Sequence, residues 1–236
     1  MALNRMKSLA ISLFKAAALL AMTPVLLAAC SPSNSTPPEA LQPVLQRIGL
    51  YSPPSRFEPT RAQIAATGLT GPLLRVVVRE PIEQSAGYLS QGSANGVDFF
   101  TATDGSNVLL ADGILRGTVR FLGDLETAET AQTAQAIASG GAKYFRVVRH
   151  RRGEGKLFET RLNCELVFAG REQIIILERT HLTSRYEEAC QAESVDPAGR
   201  FVNFTNVYWV ENTLVRASEQ WVSPSTGQLR LELVLP

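Results

Sequence analysis

The chain has 236 residues, 45% of them hydrophobic and 19% charged, with 23 basic against 22 acidic side chains and a formal net charge of +1. That balance leaves no bulk positive field to draw in nucleic acid, and the apolar content excludes a disordered chain. A chain of this length can bury one sizeable core as a single domain.

The first segment has the pattern of an export signal. Arg5 and Lys7 form a short basic head, Lys15 follows, and residues 16–29 are apolar or small apart from Thr23 and Pro24. Spanning a bilayer as a helix takes about twenty apolar residues. This shorter run therefore reads as a secretory signal. Its end, Leu27-Ala28-Ala29-Cys30, looks like the lipobox of bacterial lipoproteins. In such a box the Cys30 thiol is alkylated with diacylglycerol. The chain is then cut before Cys30, and the new amino terminus is acylated. Several acyl chains hold far more firmly than one, since each buried CH₂ contributes about 0.8 kcal/mol. Ser31, rather than Asp, follows the cysteine. By analogy with enterobacterial sorting, that favours the outer membrane. The signal carries three basic residues and no acidic ones, so the mature chain has a formal charge of −2.

Residues 30–43 are rich in Ser, Pro and Asn and form a flexible tether from the lipid. The remainder, 44–236, is expected to be one β-rich periplasmic domain. A short helix is expected in 39–49 and another at 60–66, capped by Thr60 and closed by Gly68. Strands are expected at 73–79, 97–103, 107–110 and 114–121. Asp104-Gly105 and Asp112-Gly113 supply tight turns between them. Period-two counting puts Leu115, Val119 and Phe121 on one face and Arg116, Thr118 and Arg120 on the other. A helix is expected over 124–138, with Asp124 as its cap and Ser139-Gly140-Gly141 as its stop. Strands resume at 144–152, turn at Gly153-Glu154-Gly155, and continue at 157–169. Gly170-Arg171 is read as a turn, and strands follow at 173–178, 180–187, 200–211, 213–222 and 228–235. Helices and strands do not alternate regularly, so a parallel α/β sheet is unsupported. The expected fold is mainly β: a large curved antiparallel meander sheet folded on itself, with one or a few short helices.

Two cysteines remain after Cys30. Export places Cys164 and Cys190 in an oxidising compartment, where a structural disulfide is the expected state.

Several motifs carry a family likeness. Phe100-x-x-x-Asp104-Gly105 is followed by Asp112-Gly113-Ile114-Leu115-x-Gly117-Thr118 and by Gly123-Asp124-Leu125. Asn206-Val207-Tyr208-Trp209-Val210 and Gln220-Trp221-Val222-Ser223-Pro224-x-x-Gly227 lie near the C-terminus. In combination these resemble the YjbF/GfcB family of lipoproteins. The segment Thr118-Val119-Arg120-Phe121-Leu122-Gly123 departs from the family's usual Thr-Arg-Gly-Leu-Gly. Phe99-Phe100 stands where a Trp is usual. The resemblance implies an outer-membrane lipoprotein facing the periplasm, made alongside proteins for exopolysaccharide or group 4 capsule production. It implies no established catalytic chemistry and no cofactor.

The residues themselves are chemically quiet. His150 lies among cations, neither histidine has a carboxylate nearby on the same strand face, and no ligand set recurs at metal-binding spacing. No Gly-x-Ser-x-Gly elbow is present, and no carboxylate pair stands out for glycoside cleavage. The densest basic cluster is Arg146, Arg149, Arg151 and Arg152. Alternation puts Arg149 and Arg151 on one face, as a docking patch for an acidic glycan or partner or as an ordinary solvated strand face. Trp209 and Trp221 could grip a sugar, or pack across the hairpin at Asn212 as core residues. Three functions are open: an accessory lipoprotein of polysaccharide assembly or export that binds partner proteins or glycan, a carrier or chaperone whose sheet holds an acyl chain, and a glycan-modifying enzyme. A dry apolar cavity would mark the carrier, convergent carboxylates the enzyme, and a filled core with an exposed groove the accessory factor. Cells fed radiolabelled fatty acid should label the wild-type protein, and Cys30→Ala should abolish that label.

Overall fold

Among the described residues, short β-branched and aromatic runs separated by Gly, Asp-Gly and Asn turns fold into twelve strands, joined by two helices. The computed structural model describes residues 56–79, 83–151, 155–195 and 202–235. The signal, Cys30, the tether, the helix expected in 39–49, Arg152, Gly153 and Glu154 lie outside the described residues. The order is α1 (Arg61–Ala66), β1 (Leu73–Val78), β2 (Gln84–Ala94), β3 (Val97–Thr101), β4 (Asn107–Ala111), β5 (Ile114–Val119) and β6 (Leu125–Ala128). Then come α2 (Ala131–Ser139), β7 (Gly141–Arg151), β8 (Leu157–Ile176), β9 (Arg179–Ala192), β10 (Asn203–Glu211), β11 (Leu214–Ser223) and β12 (Gly227–Leu235).

All twelve strands belong to one antiparallel sheet, ordered β5-β4-β3-β2-β1-β12-β11-β10-β9-β8-β7-β6. Each strand pairs with its neighbour in sequence, except that β1 pairs with β12 and the two end strands, β5 and β6, share no ladder. Those ends meet through side chains. Arg116 Nη1 donates to the Ala128 carbonyl, and the Leu125 N–H donates to Thr118 Oγ1 at 2.9 Å. The approach is close enough that a Cβ on Gly117 would lie 3.3 Å from the carbonyl oxygens of Leu125 and Glu126. The sheet is thereby nearly closed into a barrel, as the expected meander folded on itself.

The main core lies inside this barrel. It includes Leu74, Val76, Phe100, Val108, Leu162, Val222, Leu229 and Leu231, all nearly inaccessible to solvent. A second cluster lies on the opposite face of the same sheet. Beyond the β7–β8 ladder, β8 and β9 continue as a two-stranded arm. Ile174 and Ile176 of the arm pack with Trp209, Ala217, Leu73, Val234 and Ile64 of α1. Burial on this scale supplies most of the driving force, at about 25 cal/mol per Å² of apolar surface.

Three local expectations are corrected. Residues 124–138 are not one helix: 125–128 form β6, and only 131–139 are helical. Leu125-Glu126-Thr127-Ala128 pairs with β7, and the run inward-outward-outward-inward suits a bulged edge strand. Asp124 caps no helix. Its carboxylate instead accepts the N–H groups of Arg120 and Phe121 and the Thr118 hydroxyl. The stop at Gly140 stands as expected, with φ 85°. Gly170-Arg171 makes no turn. The strand passes through a bulge between Phe168 and Gly170, and the chain reverses at Leu177 and Glu178, both at positive φ. In β5 a bulge in the β4 ladder reverses the faces after Leu115, so Thr118 is buried and Val119 is 45% exposed.

Cys164 and Cys190 sit directly opposite each other on β8 and β9 and form a disulfide, 26 residues apart in sequence. Thiol labelling of the folded, oxidised protein should find neither cysteine free. The double variant Cys164→Ala/Cys190→Ala should lose about 3–4 kcal/mol of stability in urea denaturation, through the closed loop of the unfolded chain.

Candidate functional site

The β7 strand alternates strictly. Tyr144, Arg146 and Val148 point inward, while Phe145, Arg149 and Arg151 point outward. Arg146 is 3% exposed, and its guanidinium meets Glu188 of β9, which is 0% exposed. The Nη1–Oε2 distance is 2.9 Å. Glu188 also accepts hydrogen bonds from Tyr208 (2.8 Å), Asn206 Nδ2 (2.6 Å), Thr133 of α2 (3.0 Å) and Tyr144. Gln220 of β11 continues the polar interior by accepting the Leu115 N–H at 2.8 Å. The network thus ties α2, β5, β7, β9, β10 and β11 together across the barrel. Among the described residues, one buried side-chain polar atom has no hydrogen-bond partner, Arg146 Nε.

Electrostatics follow from this enclosure. Burial alone would raise the Glu188 carboxyl. The Arg146 charge and the hydrogen bonds from Tyr144, Asn206 and Tyr208 outweigh it and hold the group below the ordinary range. Burial, then the Glu188 charge, pushes both Tyr144 and Tyr208 upward, so both stay protonated donors. Burial works against the Arg146 cation, but Glu188 and its neighbours more than restore it.

A cleft of about 1120 Å³ opens beside this network. Its strand side is centred on the cross-strand row Tyr144–Cys164–Cys190–Phe204 and includes residues of the row on either side, Phe145 and Asn163 on one and Lys143 and Glu165 on the other. One wall is α2, which contributes Gln132, Gln135, Ala136 and Ser139. Those four positions recur at helical spacing and so share one face. Glu188 also lies near both sulfurs, as a potential metal-ligand group. The sulfurs are bonded to each other and the carboxylate is held by Arg146, so this trio is poorly suited to an ion.

The residues singled out by sequence occupy other places. Arg149 pairs with Glu159 at 2.7 Å and Arg151 with Glu126 at 2.6 Å, both on the outer face. Trp209 is 6% exposed, donates to Glu172 at 2.9 Å and lies under the Arg230 guanidinium. Trp221 packs, as expected, across the hairpin against the strand that carries Trp209: it stacks on Phe204 of β10, with ring centroids 4.6 Å apart, and meets His150 edge-on. It thereby backs the strand side of the cleft. The two tryptophans themselves lie in different core clusters, and Ala217 stands opposite Trp209. Tyr144, Glu188 and the α2 amides went unnoticed in the sequence. The one available signal was Arg146 standing at the parity opposite to Arg149 and Arg151.

The described residues thus form a filled, near-closed antiparallel barrel with a polar interior and an open cleft. The family model for YjbF, the group 4 capsule polysaccharide lipoprotein GfcB, matches residues 39–234, and the chain belongs to that family. Among solved structures, it is similar to the hypothetical lipoprotein YmcC from Escherichia coli K12. Identity is 16% and the TM-score 0.64, over 86% of this chain and 98% of that one. A putative exported protein with a YmcC-like fold from Bacteroides fragilis is more distant. It shows 9% identity and a TM-score of 0.31, over 77% of this chain and 98% of that one. No curated protein matches the chain.

Removing one member of a buried ion pair strands the other. Glu188→Ala or Arg146→Met should each cost about 3–5 kcal/mol in urea denaturation, and Arg146→Met/Glu188→Leu should cost less than either. Because the folded Glu188 lies below its unfolded value of 4.5, its contribution is complete above that pH and fades as pH falls through the folded value. Acid should therefore destabilise the wild type more steeply than the double variant.

Proposed function

We propose that this protein is an outer-membrane lipoprotein, held through Cys30, that serves exopolysaccharide or capsule assembly or export as a non-enzymatic accessory factor. It acts by binding partner proteins or glycan in the periplasm. The observation that carries this reading is the capsule-lipoprotein family match over 39–234, together with Leu27-Ala28-Ala29-Cys30 ahead of it. Two structural features agree. The barrel interior is filled by side chains, and the cleft beside α2 is open and partly lined by amides, which suits an acyl chain poorly. Among the described residues, the cleft's lining holds a single carboxylate, Glu165, rather than the convergent pair that glycoside cleavage uses.

Deletion of the gene should reduce secreted polysaccharide. The wild-type gene should restore it, and Cys30→Ala should not. Undiminished polysaccharide in the deletion strain would defeat the proposal. Membrane fractionation should place the acylated protein with outer-membrane markers.

A further inference from the structure

We propose that the cleft between α2 and the β7–β10 wall binds an uncharged stretch of oligosaccharide; this rests on the accessory polysaccharide role above and assigns it a site. The chemistry of the walls points there. The lining includes the half-buried rings of Tyr144 and Phe204, at either end of a cross-strand row whose middle is the buried Cys164–Cys190 disulfide. Apolar and aromatic faces suit the C–H face of a pyranose ring. Beside this row, the α2 stripe presents the carboxamides of Gln132 and Gln135 and the hydroxyl of Ser139, all exposed. A carboxamide both donates and accepts, matching a sugar hydroxyl that does the same. Aromatic faces with polar amphoteric groups along one side are the complement of a sugar ring.

Charge narrows the class of glycan. Among the described residues, Lys143 and Glu165 are the charged ones in the lining, and they pair with each other at 3.4 Å. Among those residues no second cation lines the cleft to neutralise a uronate or phosphate on each repeat. Arg146 is consumed by Glu188 behind the row. Size fits a chain rather than a single small molecule. The cleft exceeds the roughly 300–1,000 Å³ typical of small-ligand sites and is open to solvent, so a polymer can continue beyond it. The row is also held rigid. The disulfide ties β8 to β9, Trp221 stacks behind Phe204, and the Tyr144 hydroxyl is committed to Glu188. Preorganisation of this kind lowers the entropy cost of binding.

Calorimetry on the acylated full chain in detergent micelles tests this, with uncharged hexasaccharides of glucose, galactose and N-acetylglucosamine and with hexagalacturonate as probes. At least one uncharged hexasaccharide should bind, with an affinity unchanged between low and high salt. Gln132→Ala/Gln135→Ala should weaken that binding about tenfold or more. These amides are exposed, so its thermal midpoint should match the wild type. Preference for hexagalacturonate, absence of binding to all three uncharged probes, or an unaffected double variant would each overturn the inference. The same variant expressed in the deletion strain separates the two readings. If it binds no glycan yet restores secreted polysaccharide, the cleft has no part in the function and the accessory role stands. Loss of both ties the role to the cleft.

Discussion

A fully buried carboxylate must be answered from every side, and Glu188 imposes that demand on the whole barrel. Taking an ion out of water costs several kcal/mol even after relaxation, and only close charge and well-placed donors offset it. Here the donors come from three separate elements: Arg146 and Tyr144 from β7, Tyr208 and Asn206 from β10, Thr133 from α2, around Glu188 itself on β9. Asn206 and Tyr208 reach Glu188 across the β9–β10 ladder, but Arg146 and Tyr144 lie two strands away and Thr133 on the helix, so the full set forms only when the sheet curls and α2 docks. The polar interior therefore specifies a single arrangement of elements that a purely apolar core would leave less determined. The composition of α2 follows from the same demand. Its small residues, Ala134 and Ala136 among them, let the helix approach closely enough for Thr133 to reach the carboxylate.

The cleft depends on that knot. α2 stands where it does because Thr133 is held by Glu188, and its next face along carries the amides toward the cleft. Tyr144 serves both structures, with its hydroxyl in the network and its ring in the cleft lining. The disulfide and the Trp221–Phe204 stack complete that side from the other strands. On the opposite face, the arm of β8 and β9 closes over Trp209 and α1, so apolar surface there is spent on packing. Such a division leaves a packed scaffold with an open cleft beside α2.

The arginines show how far a strand pattern reaches. Alternation separates Arg146 from Arg149 and Arg151, and the structure keeps that separation. Nothing local tells which face is inward, because Glu159 and Glu126 can pair with the outer pair as readily as Glu188 pairs with the inner one. The tryptophans show the same limit. Tyr208 and Trp209 must point to opposite faces, yet both faces of this sheet are covered, one by the barrel interior and one by the arm. Residues 124–138 misled because acidic and alanine-rich segments favour a helix locally, while the β7 edge recruits 125–128 as a strand. Propensity yielded there to pairing.

From sequence alone come the features written in contiguous residues. These are the export signal with its cysteine, the β-rich class, the Asp-Gly turns at positive φ, the Thr60 capping box and the Gly140 helix stop. Each rests on interactions within a few residues, so neighbouring side chains suffice to specify it. The closure of the sheet, the Arg146–Glu188 knot, the bulges that reverse the faces of β5 and bend β8, and the cleft over the disulfide were decided by tertiary structure. Their partners lie tens of residues apart, and which pair forms depends on register and curvature across many strands at once.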